Sequence, residues 1–437
     1  MLADDTIAAI SSPPGEGAIA VIRVSGPQAW GIARGLFSNK AAELKPRVLH
    51  FGEFRDERGK LDEGLLALFR RPRSYSGEDM AEIHCHGGIL VTSRLFEAIL
   101  RAGARAAEPG EFTRRAFVNG KMDLTQAEAV MDVIRASTPR ALRAAEEQLE
   151  GRLGEQVERT RAELLAIVAH LEAYIDFPEE GIDPHAGARL LADLAKVQEQ
   201  LDALLATADE GRILREGVQL VLCGAPNAGK SSLLNRLLGV NRAIVSAIPG
   251  TTRDTIEEFA NLHGIPFRIT DTAGLRETTD VVEREGVERA ERAIAKADVV
   301  LHVVDGTTHE GEEALEGEIL VINKVDLLSA PPEKGIAISC LTGAGLEELV
   351  DAIVKKVIGS HVSESETRAV INARHRACLE KAKTELEQAA ADLRAGADPE
   401  LVAVPLRAAL DAVGAVIGAA DIEEILGEIF STFCIGK

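Results

Sequence analysis

The densest chemistry in the chain lies at residues 224–231, which read GAPNAGKS. The run fits G-x-x-x-x-G-K-[ST], a spacing suited to phosphate. Gly224 and Gly229 let the backbone curl until successive N–H groups point at phosphate oxygens. Lys230 brings a point charge to the outer phosphates. Ser231 offers a hydroxyl to a magnesium ion, and the following helix turns its positive dipole end toward the anion. The flanks suit the task. VQLVLC at 218–223 reads as a buried strand, and SSLLNRLLG at 231–239 as the start of a helix.

Further pieces follow in order. Asp271-Thr272-Ala273-Gly274 comes straight after the apolar run IPFRIT. An aspartate at a strand end can hold magnesium through water, and the Gly274 N–H can meet a terminal phosphate. Asn323-Lys324-Val325-Asp326 follows EILVIN. A carboxylate at Asp326 can accept two hydrogens from the edge of guanine, and adenine offers no such pair. Thr251 and Thr252, in PGTTRD, sit where a loop would close over the metal. The set describes a GTP hydrolase, and Asn323 with Asp326 opposes an ATP-dependent kinase.

The elements that must position these residues fall into three parts. At 437 residues the chain has room for about three domains. Residues 1–117 mix strands (17–26, 48–54, 64–70, 80–86) with a helix at 88–103. From Leu124 the period changes to that of long helices. Leu142, Leu149, Leu153, Val157, Leu164, Val168 and Leu171 form a stripe that reads as core packing. A second helix covers 190–205. Strands and helices alternate from Gly211 to near Lys356, the polar run SHVSESET follows at 360–367, and helical periodicity then resumes. The expected fold class is multidomain α/β plus all-α. A G domain at 211–366 is inserted into a helical domain whose parts, 118–210 and 367–437, pack together.

Composition sets the limits. Apolar residues at 46% and charged residues at 27% describe an ordinary globular protein. A net charge of −21 opposes nonspecific attraction to nucleic acid, so any RNA contact needs a local basic patch. The five cysteines are scattered without a C-x-x-C pair, which favours a reducing compartment. No basic-then-apolar leader and no membrane-length apolar run stand out, and a cytoplasmic location is expected.

The chain resembles the MnmE (TrmE) family of tRNA-modification GTPases over essentially its whole length. The markers are PPGEGAIAVIRVSGP (13–27), GEDMAEIHCHGG (77–88), PGEFTRRAFVNGKMDLTQAEAV (109–130), the GTP motifs and the terminal Cys434-Ile435-Gly436-Lys437. The resemblance implies an N-terminal α+β domain that binds a tetrahydrofolate derivative (5-formyl- or methylene-tetrahydrofolate) and mediates a homodimer. A helical domain and an inserted Ras-like P-loop G domain complete the chain. It also implies an FAD-dependent partner of the MnmG (GidA) family. With that partner, an aminomethyl or carboxymethylaminomethyl group is placed on the wobble uridine of tRNA.

Site residues follow by the same route. GTP would be held by Asn227, Ala228, Gly229, Lys230, Ser231 and Ser232. The segment Ser246, Ala247, Ile248, Pro249, Gly250, Thr251 and Thr252 would join them, with Asp271, Thr272, Ala273 and Gly274. The base would meet Asn323, Lys324 and Asp326, backed by Ser339, Cys340 and Leu341. Magnesium would take Ser231 and Thr252. In Ras-like enzymes a glutamine after the D-x-x-G glycine orients water; here Leu275 stands there and can form no hydrogen bond. Glu283 is the family's match for that role, and a solvated helix-start glutamate is the plain alternative. No arginine finger is evident, although Arg253 and Arg276 are nearby. The family's answer is potassium, on Asn227, Ser246, Ile248 and Thr251. Ser246 stands where the family typically has threonine.

Arg23, Glu82, Lys121 and Lys437 match the family's folate contacts; each alone also reads as a surface salt bridge. Cys434 is the family's reactive-thiol position, against the ordinary fate of a free cysteine as a small buried apolar residue. Lys230, Glu283 and Cys434 thus make up the catalytic set. His84 and His86 share one side of a strand and Cys85 the other, a poor metal site without a third ligand. Arg70, Arg71 and Arg73, and the pair Arg114-Arg115, could touch tRNA phosphates but read better as solvated arginines. The run 305–323 leaves little room for a helix before the strand at Ile319, and Ser339-Cys340-Leu341 departs from the usual S-A-K. A GTPase that binds RNA or ribosome without chemistry of its own is the alternative function, and folate binding by residues 1–117 separates the two.

Overall fold

The computed structural model describes residues 5–38, 43–176, 187–241, 257–271, 292–308, 315, 317–361, 369–419 and 423–437. The chain divides into two compact units. One comprises residues 1–131 with 414–437, and the other residues 132–413.

The first unit is built on a seven-stranded sheet of order β3-β4-β5-β6-β2-β1-β7. Its strands are β1 (Ile7–Ile10), β2 (Gly17–Ser25), β3 (Phe37–Ser38), β4 (His50–Asp56), β5 (Gly59–Phe69), β6 (Met80–Gly87) and β7 (Arg105–Ala106). Alternation along β2 decides the faces. Ala20, Ile22 and Val24 enter a core with Leu66, Ile83 and Cys85. Helices α1 (Ala29–Leu36) and α2 (Ile89–Arg101) cover that core with Ile32, Leu95 and Ile99. Arg23, between Ile22 and Val24, belongs to the opposite face and stands in register with Glu82 of β6. On that face Ile7 and Ala9 pack with Phe112 of α3 (Glu111–Val118). The helix α4 (Leu124–Arg135) follows.

In the second unit the helices α5 (Pro139–Leu149), α6 (Arg152–Asp176), α7 (Gly187–Leu205) and α8 (Ala208–Glu216) precede a six-stranded sheet of order β13-β12-β11-β8-β10-β9. Its members are β8 (Val218–Cys223), β9 (Glu257–Leu262), β10 (Ile265–Asp271), β11 (Val299–Asp305), β12 (Ile319–Asn323) and β13 (Ile336–Ala337). All pairs are parallel except β9 with β10. Runs such as VQLVLC, polar only at the exposed Gln219, are mostly apolar because a parallel strand is covered on both faces. Leu233 and Leu237 of α9 (Lys230–Asn241) and Leu349 and Ile353 of α10 (Leu346–His361) close one face.

Helices α11 (Ala373–Arg394) and α12 (Pro399–Ile417) follow. Pairs between Lys383 and Asp202, and between Gln198 and Glu387, link α11 to α7. Arg407 of α12 reaches Glu172 of α6. The stripe from Leu142 to Leu171 needs correction. It spans two helices that part at Gly151, and Leu142 and Leu149 are 37% and 36% exposed, while Leu153, Val157, Leu164, Val168 and Leu171 are buried. Helix α13 (Glu423–Ser431) and the tail to Lys437 return to the first unit, where Phe430 and Phe433 pack with Ala127, Val130 and Met131.

Candidate active site

Residues 224–229 link the end of β8 to the start of α9, so the loop hangs between a buried strand and a helix N-terminus. Two glycines are there because nothing larger fits. At Gly224, with φ 133°, a Cβ would stand 2.0 Å from the Val303 carbonyl oxygen. At Gly229, with φ 99°, it would stand 2.0 Å from Asn323 Nδ2. Asn227 also adopts the left-handed region, φ 64°, and Ala228 is buried. Lys230 is 6% exposed, and its Nζ donates to the carbonyls of Gly224 at 2.9 Å and Ala225 at 2.8 Å. The ammonium is thereby pinned at the centre of the loop. Ser232 is exposed on the first turn of α9.

Ser231 Oγ donates to Asp271 Oδ2 at 2.7 Å. β10 brings Asp271 there by running parallel to β8, with Asp271 in register with Leu222. A hydroxyl and a carboxylate oxygen side by side at the mouth of a phosphate loop form a donor set that a hard divalent cation fits. Magnesium bound there would offset phosphate charge.

Asn323, 2% exposed, is the bridge between the two ends of the site. Its Nδ2 donates to the Ala228 carbonyl at 2.9 Å, and its Oδ1 accepts from the Cys340 N–H at 3.1 Å. Asp326 is exposed, so a base can reach it, and its Oδ1 accepts from Ser339 Oγ at 2.5 Å. Ser339 is fully buried and its Oγ also accepts from the Thr342 N–H. Serine therefore holds this loop. Leu341 is 77% exposed, and its carbonyl is held by Arg236.

Sequence reasoning missed two residues. Arg236 of α9 donates to the carbonyls of Cys340 at 2.7 Å and Leu341 at 2.6 Å and clamps the loop. Asp305, at the end of β11, accepts from Lys324 Nζ at 2.5 Å. Lys324 holds φ 66°, so its position is constrained at both backbone and side chain. The Lys324 ammonium lowers the Asp305 carboxyl to about 2. An aspartate closing an apolar strand at the level of the N-K-x-D run was the available signal.

Other expected residues lie outside the described ones: Ser246, Ala247, Ile248, Pro249, Gly250, Thr251, Thr252, Thr272, Ala273, Gly274, Leu275, Glu283, Arg253 and Arg276. So does most of the 309–316 stretch, where little room for a helix was expected.

A second cluster occupies the first unit. Arg23 donates from Nε and Nη2 to Glu82 Oε1 at 3.1 and 2.9 Å. Its Nη1 donates to the Gly436 carbonyl at 3.4 Å, and the Ser11 hydroxyl donates to the same oxygen. The Lys437 carbonyl accepts from the Phe112 N–H at 3.2 Å. The terminal motif thus lies beside the Arg23–Glu82 pair, and Arg23 stacks 5.1 Å from the Tyr75 ring centroid. His84, with Nε2 3.9 Å from Glu82 Oε2, and Arg23 hold the Glu82 carboxyl below the usual carboxylate range. Burial and the Arg23 charge lower the Lys437 amine. Lys121 is exposed on the turn after α3, its stem beside Gly77, and no described ion pair or hydrogen bond joins it to the other three. Cys434 is exposed, so it is not a buried packing residue.

One further reading changes. Arg115 is no surface arginine: it is 1% exposed and pairs with Asp5, Glu78 and Glu111. Arg70 is exposed, as expected of a solvated arginine, and it stacks on Trp30 at 3.7 Å and pairs with Asp79. His86 binds Asp62 at 2.8 Å, and His84 and His86 share no described metal-binding group.

Fold and site together define a P-loop GTP hydrolase, with the nucleotide loop and base loop joined through Asn323. The family described as "MnmE helical domain" matches residues 124–434, and "GTP-binding protein TrmE N-terminus" matches 6–121. The tRNA modification GTPase MnmE of Akkermansia muciniphila is 48% identical over 99% of both chains. That of Geobacter sulfurreducens is 47% identical over the whole of each chain. The chain belongs to the MnmE (TrmE) family of tRNA modification GTPases. A crystal structure of a point variant of Aquifex aeolicus Era bound to GDP and AlF4− is also similar, at 28% identity over 38% of this chain and 66% of its own, with a TM-score of 0.26.

Proposed function

We propose that this GTPase couples GTP hydrolysis to folate-dependent modification of the wobble uridine of tRNA, as a homodimer working with an FAD-dependent partner of the MnmG family in the cytoplasm. The observation that carries the reading is the tail: the Gly436 carbonyl is held by Arg23 and Ser11, and Arg23 holds Glu82. A carboxylate can read a pterin edge as Asp326 reads guanine, and the half-buried Lys437 amine suits the acidic tail of a folate. Lys121 completes the proposed folate set. Magnesium fits Ser231 with Asp271, and Thr252 is proposed as a further ligand. Potassium is proposed on Asn227, Ser246, Ile248 and Thr251, where a cation would offset charge between the phosphates. Glu283 is proposed to orient the attacking water. Among the described residues no helix is long and apolar enough to cross a membrane.

The test is to titrate the purified full chain with 5-formyl-tetrahydrofolate and to measure GTP turnover in potassium and in sodium. Wild type should bind the folate, and Glu82→Gln should lose that binding while hydrolysing GTP normally. Turnover should be faster in potassium, and Asn227→Ala should erase the preference. Absence of folate binding by the wild type overturns the one-carbon reading. Equal rates in the two salts overturn the potassium site.

A further inference from the structure

Directly beneath the phosphate loop, three side chains that the nucleotide site does not use converge. Cys223 ends β8, one residue before Gly224. His302 of β11 stands in register with Cys223. Glu318 leads into β12, the next strand of the sheet. A thiol sulfur, an imidazole nitrogen and a carboxylate oxygen lie within 4.8 Å of one another, and all three residues are half-buried. His302 Nδ1 is 3.2 Å from Glu318 Oε2. The same carboxylate oxygen accepts the Leu315 N–H at 3.0 Å, which fixes its orientation.

We propose that Cys223, His302 and Glu318 form a binding site for a single thiophilic divalent cation of the zinc class, distinct from the magnesium position. The ligand chemistry is the first ground. Sulfur, imidazole and carboxylate on one centre is a zinc donor set, with a fourth position left for water. Geometry is the second. Ligands on a tetrahedral zinc stand roughly 3.5 Å apart. The imidazole–carboxylate pair already meets that spacing, and side-chain rotation can bring the sulfur in. Backbone is the third. Strand pairing holds Cys223 beside His302 and Glu318 directly precedes the paired strand β12, so the site exists only in the folded chain and a bound cation ties β8 and β11 to the entry of β12. Charge balances: the thiol proton leaves to solvent, and the thiolate and carboxylate neutralise a doubly charged ion. Without a cation the thiol is held protonated, since burial and the Glu318 charge push it up to about 11.

The plain alternative is an ordinary His–Glu pair beside a packed cysteine. Cobalt(II) separates the two, because thiolate bound to cobalt gives a charge-transfer absorption that oxygen and nitrogen ligands do not. The full chain, free of nucleotide, is titrated with cobalt(II) and then with zinc. The expected result is a thiolate-to-cobalt band that saturates at one ion per chain and is displaced by zinc. It should vanish in Cys223→Ser and survive in Cys378→Ser. Glu318→Gln should keep the band and weaken cobalt binding by roughly tenfold or more. Zinc should also raise the melting temperature of the wild type but not of Cys223→Ser. If Cys223→Ser misfolds, the band in wild type and its weakening in Glu318→Gln still decide the matter. No band in the wild type, or a band that survives in a folded Cys223→Ser, overturns the proposal.

Discussion

At the residue scale, the proposed base choice rests on one exposed carboxylate, Asp326. Among the described residues the Asp326 side chain hydrogen-bonds only to Ser339, and an Asn carbonyl can still accept that bond, so the substitution should leave the loop in place. Asp326→Asn turns an acceptor into a partial donor, and guanine then meets the wrong edge. The variant should lose about 2 kcal/mol or more of GTP affinity and prefer xanthosine triphosphate. Competition binding with the two nucleotides checks this, and full GTP affinity in the variant would remove Asp326 from the base pocket. Asp305 acts one step back, by holding Lys324. Its folded carboxyl titrates at about 2, against 3.8 in the free side chain, so the pair's stabilisation is present above that free value and is lost as pH falls through the folded one. The melting-temperature gap between wild type and Asp305→Asn should therefore stay constant from neutral pH to about pH 4 and shrink below it. A gap that widens on acidification would mean that the pair does not stabilise the fold.

At the element scale, the sequence was most legible where one residue type has one possible use. Gly224 and Gly229 take the curled backbone their motif requires, because strand, loop and helix follow one another without interruption. The strands at 17–26, 48–54 and 80–86 and the helix at 88–103 also appear within a few residues of their expected places, while the strand expected at 64–70 begins earlier, at Gly59. Long-range partners were not legible. Nothing local marks Arg115 as the centre of a buried ion network, since Asp5 and Glu78 come from distant positions. The stripe from Leu142 to Leu171 misled for a different reason: leucine spacing alone does not show the break at Gly151, which rotates Leu142 and Leu149 to the outside. Close backbone approach was equally hidden. Gly211 of α8 sits where a Cβ would lie 2.1 Å from the Ile371 carbonyl oxygen. Glycine to alanine inside a helix ordinarily gains roughly 0.5–1 kcal/mol. Here the clash is with backbone and cannot rotate away, so Gly211→Ala should cost about 1–3 kcal/mol net. The urea midpoint reads the sign directly, and a more stable variant would show that α8 and the segment before α11 do not meet so closely.

At the scale of the whole molecule, the nucleotide site and the proposed folate site occupy different units. The phosphate loop, Asp271 and the base loop belong to residues 132–413, while Arg23, Glu82 and the terminal motif belong to the other unit. Variants of the tail should therefore separate GTP turnover from modification. Cys434 is exposed beside the half-buried Lys437, placed to attack an electrophilic carbon if it acts as a nucleophile. Gly436 adopts φ 97°, and a Cβ there would stand 2.9 Å from Ser11 Cα, so Gly436→Ala should push the tail off its seat. Cys434→Ser keeps the seat and removes only the thiol. The expected pattern is graded. Both variants should hydrolyse GTP at the wild-type rate. Gly436→Ala should bind 5-formyl-tetrahydrofolate weakly and modify little uridine. Cys434→Ser should bind the folate normally and still fail to modify. Turnover, folate affinity and modified wobble uridine measured on the same preparations give the answer. Modification that survives Cys434→Ser reduces the thiol to a bystander and leaves the tail's work to Lys437 and the Gly436 carbonyl.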